Sequence, residues 1–283
     1  MEGFLVVSLL HAASNDLITQ DLKISILASG SSGNSIYVES DTTKLLVDCG
    51  LTGKKTEGLL RQIGRDPKDL DAILVSHEHS DHIHGVGVMS RKYDLDIYAN
   101  EKTWQAMEPK LGKIKPEHKF HFDVEELKTI GNIDIMSFGI SHDAIDPQFY
   151  TFQKNNKRFV ILTDTGYVSD RMRDALRNAE AYLIESNHDI SMLRMGTYPW
   201  SLKQRILGDK GHLSNEDGAL AMADMIGDNT RRVYLGHLSR ENNMKEIAYD
   251  TVEEVLYRKE KGVNHQFYLY DTDPDEAQPL FSL

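Results

Sequence analysis

ILVSHEHSDHIHGV, residues 73–86, raises the question of what one apolar run needs with so many ligands at its end. Four of the chain's twelve histidines fall in eight positions here, with a glutamate and an aspartate among them. The apolar residues read as a buried strand. His77 and His79 are two apart, so at the end of an extended segment both face one side. Asp81 and His82 lie just beyond, where the chain turns into a helix. A polar surface turn is the ordinary reading of a single histidine, and it suffices for His84, His118, His121 and His265. It does not suffice for four ligand-type side chains in six positions.

The surrounding chain limits the choices. It has 283 residues, 40% hydrophobic and 27% charged, with a net charge of −12. Such a chain builds a sizeable soluble core. The acidic balance argues against a surface that coats nucleic acid, because phosphate contacts need clustered Lys and Arg. A local basic groove or bound cations could still supply the positive charge. One cysteine, Cys49, rules out an internal disulfide and a cysteine-built zinc site. That usage fits a reducing cytoplasm, and no apolar run reaches the ~20 residues of a membrane span. Residues 1–22 read as a leader or extension. Their apolar core is short and lacks the basic start of a secretion signal.

Residues 23–283 read as a single domain. KISILASG, SIYVES and KLLVDCG are strands, KKTEGLLRQIG is a helix, and a helix starts near His82. LDIYAN and NIDIMSFGISHD are further strands, and EKTWQAMEPKLG is a helix. Residues 148–166 form a hairpin turning at Asn155-Asn156. AYLIESNHD, RRVYLGHLS and HQFYLYDTD are strands, and Ser214 caps a helix. Two strand-rich runs, each finishing in helices, predict an α/β fold: a four-layer αββα sandwich.

Five strand ends carry polar chemistry: DCG at 48, SHEHSDH at 76, SHD at 141, TDTG at 163 and GHLS at 236. A rigid sheet can hold such loops together. Imidazole suits Zn, Mn and Fe, and carboxylates widen the choice. The cluster can divide its ligands between two ions, with a carboxylate such as Asp164 between them. Paired ions about 3.5–4 Å apart would activate water and neutralise charge on a phosphate.

SHEHSDH resembles the H-x-H-x-D-H signature of the metallo-β-lactamase fold, and Asp48, His142, Asp164 and His237 follow in the order of that fold's other motifs. The resemblance runs from about residue 23 to 271. LASGSSGNSIYVES, ESNHD, GHLSNEDGA and LGHLSRENN look like the YycJ/WalJ exonuclease branch. The resemblance implies that His77, His79 and His142 hold one metal. It implies that Asp81, His82 and His237 hold a second, that Asp164 bridges, and that Asp48 orients a ligand. Asn187 and His188 would support the ligands or touch substrate. His212 would protonate the leaving oxygen, making Asp81, Asp164 and His212 the catalytic set. Ser31, Ser32, Asn34 and Ser239 would touch substrate.

By the same resemblance, an aspartate bridge fits phosphodiester hydrolysis better than the cysteine ligand of one class of β-lactamases. The interval from Asp164 to His237 leaves no room for a large inserted nucleic-acid clamp. The expected activity is a 5′-to-3′ DNA exonuclease in DNA repair, cytoplasmic, using two ions of Mn, Zn or Fe. YPWSLKQRILGDKGH, residues 198–212, interleaves Tyr198 and Trp200 with Lys203, Arg205 and Lys210, a pattern suited to bases and backbone phosphates. The alternatives are a small-molecule hydrolase of the same fold (cyclic phosphodiesterase, thioesterase or lactonase) and a non-catalytic, metal-dependent DNA-binding or regulatory protein.

Overall fold

The computed structural model describes residues 21–283. The first part of the chain runs β1 (Lys23–Ala28), β2 (Ser35–Glu39), β3 (Lys44–Val47), α1 (Gly53–Gln62), β4 (Ala72–Leu74), α2 (Ser80–Ile83), α3 (Val86–Tyr93), β5 (Asp96–Ala99), α4 (Glu101–Leu111) and β6 (Lys119–His121). Next come β7 (Leu127–Ile130), β8 (Ile133–Gly139), β9 (Gln148–Lys154), β10 (Lys157–Leu162), α5 (Asp170–Leu176), β11 (Ala181–Glu185), α6 (Ile190–Met195) and α7 (Trp200–Ile206). The last are α8 (Asn215–Met225), β12 (Arg232–Gly236), α9 (Lys245–Arg258), β13 (Tyr268–Asp271) and β14 (Phe281–Ser282).

Two sheets result, in the orders β14-β1-β2-β3-β4-β5-β6 and β13-β12-β11-β10-β9-β8-β7. Strands β3 to β6 run parallel, as do β10 to β13. Successive side chains alternate between layers, as a strand's period of two requires. In β10, Phe159 and Ile161 enter the core between the sheets, while Val160 and Leu162 pack under α8 and α9. In β3, Leu45 and Val47 face the second sheet, and Leu46 packs with the α1 and α3 side. These three apolar layers make the αββα sandwich expected from the sequence.

Local chemistry fixes the corners. Asn155 and Asn156 both hold positive φ, 51° and 61°, in the two-residue turn between β9 and β10. Asparagine tolerates that region better than most residues. Ser214 accepts from the backbone N–H of Asp217 and caps α8. β6, β7 and β14 escaped the sequence reading. The first two are short and partly exposed, and β14 is recognisable only by its pairing with β1. Leu22 is fully buried in the inter-sheet core, so the ordered fold includes a residue placed in the leader. The remainder of that reading, residues 1–20, lies outside the described residues.

Candidate metal centre and catalytic site

The strands that carry the motifs all present their C-terminal ends to one rim, the usual place for ligands in parallel sheets. Asp48 follows β3, His77 and His79 follow β4, and His142 follows β8. Asp164, Asn187 and His237 follow β10, β11 and β12. Three of these residues sit in left-handed backbone: Asp48 at φ 58°, Asp164 at 56° and His237 at 55°. Such conformations cost about 1–3 kcal/mol each and persist where surrounding structure imposes them.

Ring nitrogens of His77, His79 and His142 lie within 4.8 Å of one another, and so do ligand atoms of Asp81, His82 and His237. Asp164 stands between the two sets. Its Oδ2 is 3.5 Å from Nε2 of His82, and its Oδ1 is 4.0 Å from Nε2 of His142 and 3.2 Å from Nδ1 of His237.

The outer atoms of most of these side chains are occupied. Asp48 accepts from the Ser76 N–H and Oγ–H at 2.8 Å each and lies 2.7 Å from Nδ1 of His82. Nδ1 of His77 is 2.9 Å from Ser76 Oγ, and His142 Nδ1 donates to the Gly211 carbonyl at 3.3 Å. Asn187 donates to the His237 carbonyl at 2.8 Å. A Cβ on Gly50 would lie 1.6 Å from the Asp81 carbonyl oxygen, so the glycine after Cys49 is what lets the Asp81 loop close on β3.

Three of the inner atoms are not occupied. His77 Nε2, His237 Nε2 and Asp164 Oδ2 are buried without a hydrogen-bond partner among the described residues. Buried polar atoms are normally satisfied, and three around one spot suit a bound cation. The electrostatics agree. Burial, then the neighbouring histidines, hold His77 well below the ordinary imidazole value, in the neutral form that ligates metals. Burial opposes charge on His82, but Asp48, Asp81 and Asp164 outweigh it and hold the ring well above that value. Burial likewise opposes charge on His237, and Asp164, Asp81 and Glu185 push it up to about 10. The carboxylates around this half of the site demand positive charge, which a divalent ion would provide. Cys49 takes no part: it is buried beside Thr56, and burial pushes its thiol up to about 12.

Glu185, the last residue of β11, was not singled out in the sequence. It is fully buried, and its Oε1 lies 2.7 Å from Nδ1 of His212 and 2.8 Å from Nδ1 of His237. Its Oε2 accepts from the backbone N–H of Thr165 and Leu213. A strand-end glutamate in YLIES, just before the quoted asparagine and histidine, was the available signal. Asp143 was also missed. Its Oδ1 is buried and unpaired, 3.5 Å from Nε2 of His142, while Arg205 holds its other oxygen.

Ser31, Ser239, Asn187, His212 and His237 line one pocket. Ser32 is exposed and stands outside that lining. Asn34, expected to touch substrate, is buried. Its Oδ1 accepts from Gly30 N–H at 2.9 Å, and its Nδ2 lies 3.2 Å from Nε2 of His82 and 3.4 Å from Asp81 Oδ2. It therefore packs against Asp81 and His82 and is not among the residues lining that pocket. His188 is buried beside Asn187, and burial pushes it down to about 4. Lys203, expected among the nucleic-acid contacts, is buried as well. Its Nζ donates to the carbonyls of Arg194 and Gly196, which removes it from the basic surface.

Fold and site together define a metallo-β-lactamase-type hydrolase framework. The profile of the beta-lactamase superfamily domain matches residues 43–238. The chain belongs to that superfamily, in its YycJ/WalJ branch. It is 61% identical over 260 residues to exodeoxyribonuclease WalJ of Streptococcus pneumoniae, covering 91% of this chain and 97% of the relative. It is 57% identical over 253 residues to exodeoxyribonuclease YycJ of Bacillus anthracis, covering 89% and 96%. Among solved structures, the metallo-β-lactamase-fold protein YhfI of Bacillus subtilis superposes with a TM-score of 0.68 at 17% identity, over 91% of this chain and 99% of that one. That likeness concerns the fold alone. No helix among the described residues is long and apolar enough to cross a membrane.

Proposed function

We propose that this protein is a metal-dependent exodeoxyribonuclease holding two divalent ions, of Mn, Zn or Fe. The observation that carries the reading is the conjunction of two facts. A chain 61% identical to a named exodeoxyribonuclease gathers all seven motif ligands at one rim. His77, His79 and His142 would hold one ion. Asp81, His82 and His237 would hold the other, with Asp164 between them. Divalent ions held there supply Lewis acidity toward a phosphate and lower the pKa of water.

The rest of the chemistry belongs to the side chains. Glu185 fixes His212 through Nδ1, which leaves Nε2 to the pocket. From there His212 donates a proton to the departing sugar oxygen, as a general acid. The buried Glu185 carboxylate stabilises the ring while it carries that proton. The same carboxylate orients His237, so one residue sets both a proton donor and a ligand. Degradation from the 5′ end, work in DNA repair and a cytoplasmic location complete the proposal.

The test is digestion of 5′- and 3′-labelled single-stranded and duplex DNA by Mn-loaded protein, beside an Asp164→Ala control. End-dependent products that vanish in the variant support the reading. Intact DNA, with a generic phosphodiester still cleaved, would move the function to a small-molecule phosphodiesterase.

A further inference from the structure

α7 and the segment leading into it form one wall of a small pocket, and the candidate catalytic residues form the other. Leu202 and Ile206 stand four residues apart on α7, a spacing that keeps helical side chains on one face, and Tyr198 lies just before the helix. All three line the pocket and are half-buried, while Ser201, Gln204 and Arg205 between them are exposed. Facing this apolar wall are His212 and His237, and the lining also holds Lys210 and an Arg205–Asp143 ion pair.

The pocket encloses about 170 Å³, well under the roughly 300–1,000 Å³ of sites for drug-sized ligands. It has room for one ring system, and none for a run of stacked bases. Its wall is built independently of any ligand. Arg205 is paired with Asp143, and Lys203 ties the start of α7 to the end of α6 through two carbonyls. The backbone N–H of His212 donates to the Ile206 carbonyl at 3.0 Å. A Cβ on Gly211 would lie 2.0 Å from that same carbonyl oxygen, so glycine is what lets the His212 loop close on the end of the helix.

An apolar wall opposite a proton donor, with Lys210 and the Asp143-paired Arg205 beside it, matches the parts of a nucleotide. Bases stack on aromatic and apolar faces without regard to sequence, and cations meet the phosphates. We infer that this pocket is the subsite for a single terminal deoxynucleotide, whose unpaired base lies against Tyr198, Leu202 and Ile206. The inference rests on the exonuclease reading and adds which part of the strand is gripped. It also gives a reason for hydrolysis from an end: only the last base of a strand is free to leave its neighbours and fill a one-ring pocket.

The experiment is calorimetric titration of the metal-loaded full chain with deoxyadenosine 5′-monophosphate and, separately, with deoxyribose 5-phosphate. The nucleotide should bind about tenfold tighter, the scale of one stacked base. Tyr198→Ala and Leu202→Ala should each narrow that gap, with metal content and thermal midpoint as checks on folding. Equal affinities in the parent protein, or a full gap retained in both folded variants, overturn the subsite. If DNA is degraded while the affinities are equal, the subsite fails and the nuclease reading stands. If DNA stays intact while the Tyr198-dependent gap persists, the exonuclease reading fails and the nucleotide subsite stands.

Discussion

Nδ1 of His212 lies 2.7 Å from Oε1 of Glu185, a carboxylate fully shielded from solvent. Burial alone would raise the pKa of this carboxyl, but His212 and His237 together hold it well below the usual carboxylate range. Glu185 therefore stays ionised between two rings to which the proposed function gives different ends, one proton transfer and the other metal binding.

That division separates two variants. His212→Asn should leave metal content intact and lower kcat by about 10²–10⁴-fold, the worth of a general acid. Glu185→Gln should lower both metal affinity and rate, each by about 10–100-fold, as loss of a ligand's supporting carboxylate does. Metal titration beside steady-state kinetics tells them apart. A Glu185→Gln protein with parental metal affinity would remove its proposed grip on His237.

Asp48 offers a parallel case on the other sheet. It holds Nδ1 of His82 at 2.7 Å and receives two hydrogen bonds from Ser76, which in turn touches His77. Asp48→Asn should weaken metal retention by about 10–100-fold against a competing chelator. Unchanged retention would show that His82 needs no such orientation.

The grouping of the motif residues was legible in the sequence because motif spacing is local. HEHSDH places its four side chains within one strand end and one turn, and apolar runs reveal where the other motifs follow strands. Supporting contacts are not local. Glu185 meets a histidine 27 positions later, a separation at which strand-end chemistry alone names no partner. Lys203 reads as a surface cation until α6 ends with two carbonyls over it. Asn34 reads as a loop contact until β2 brings it against Asp81 and His82. The sandwich followed from apolar periodicity, whereas β14 needed a partner more than 250 residues away.

Metal removal should be visible in stability as well as in rate. The unpartnered buried atoms of His77, His237 and Asp164 leave the metal-free fold with unrelieved desolvation. An ion at 100 times its Kd stabilises by about 2.7 kcal/mol. For a chain of this size that corresponds to about 5–10 °C in thermal midpoint. Chelation should lower the midpoint by that amount, re-addition of Mn or Zn should restore it, and Asp164→Ala should blunt the response. A midpoint indifferent to chelation would argue against resident ions.

Away from the site, Glu39 and Arg65 give a stability prediction with a definite pH sign. Glu39 is nearly fully buried on β2, takes two charged hydrogen bonds from Arg65, and accepts from Tyr37 Oη at 2.6 Å. Burial raises the pKa of Glu39, but the bonds from Arg65 and Tyr37 outweigh it and leave the carboxyl below its usual value. A carboxyl depressed on folding contributes stability above its unfolded pKa of about 4.3 and loses it as pH falls through the folded value. Glu39→Gln should therefore destabilise by about 2–3 kcal/mol at pH 7, since it leaves a partly buried guanidinium without its counter-charge. The deficit should shrink as the pH is lowered below about 4. Urea unfolding of both proteins across pH 3–7 measures it. A deficit that stays constant with pH would mean that packing, not the ion pair, sets the contribution of Glu39.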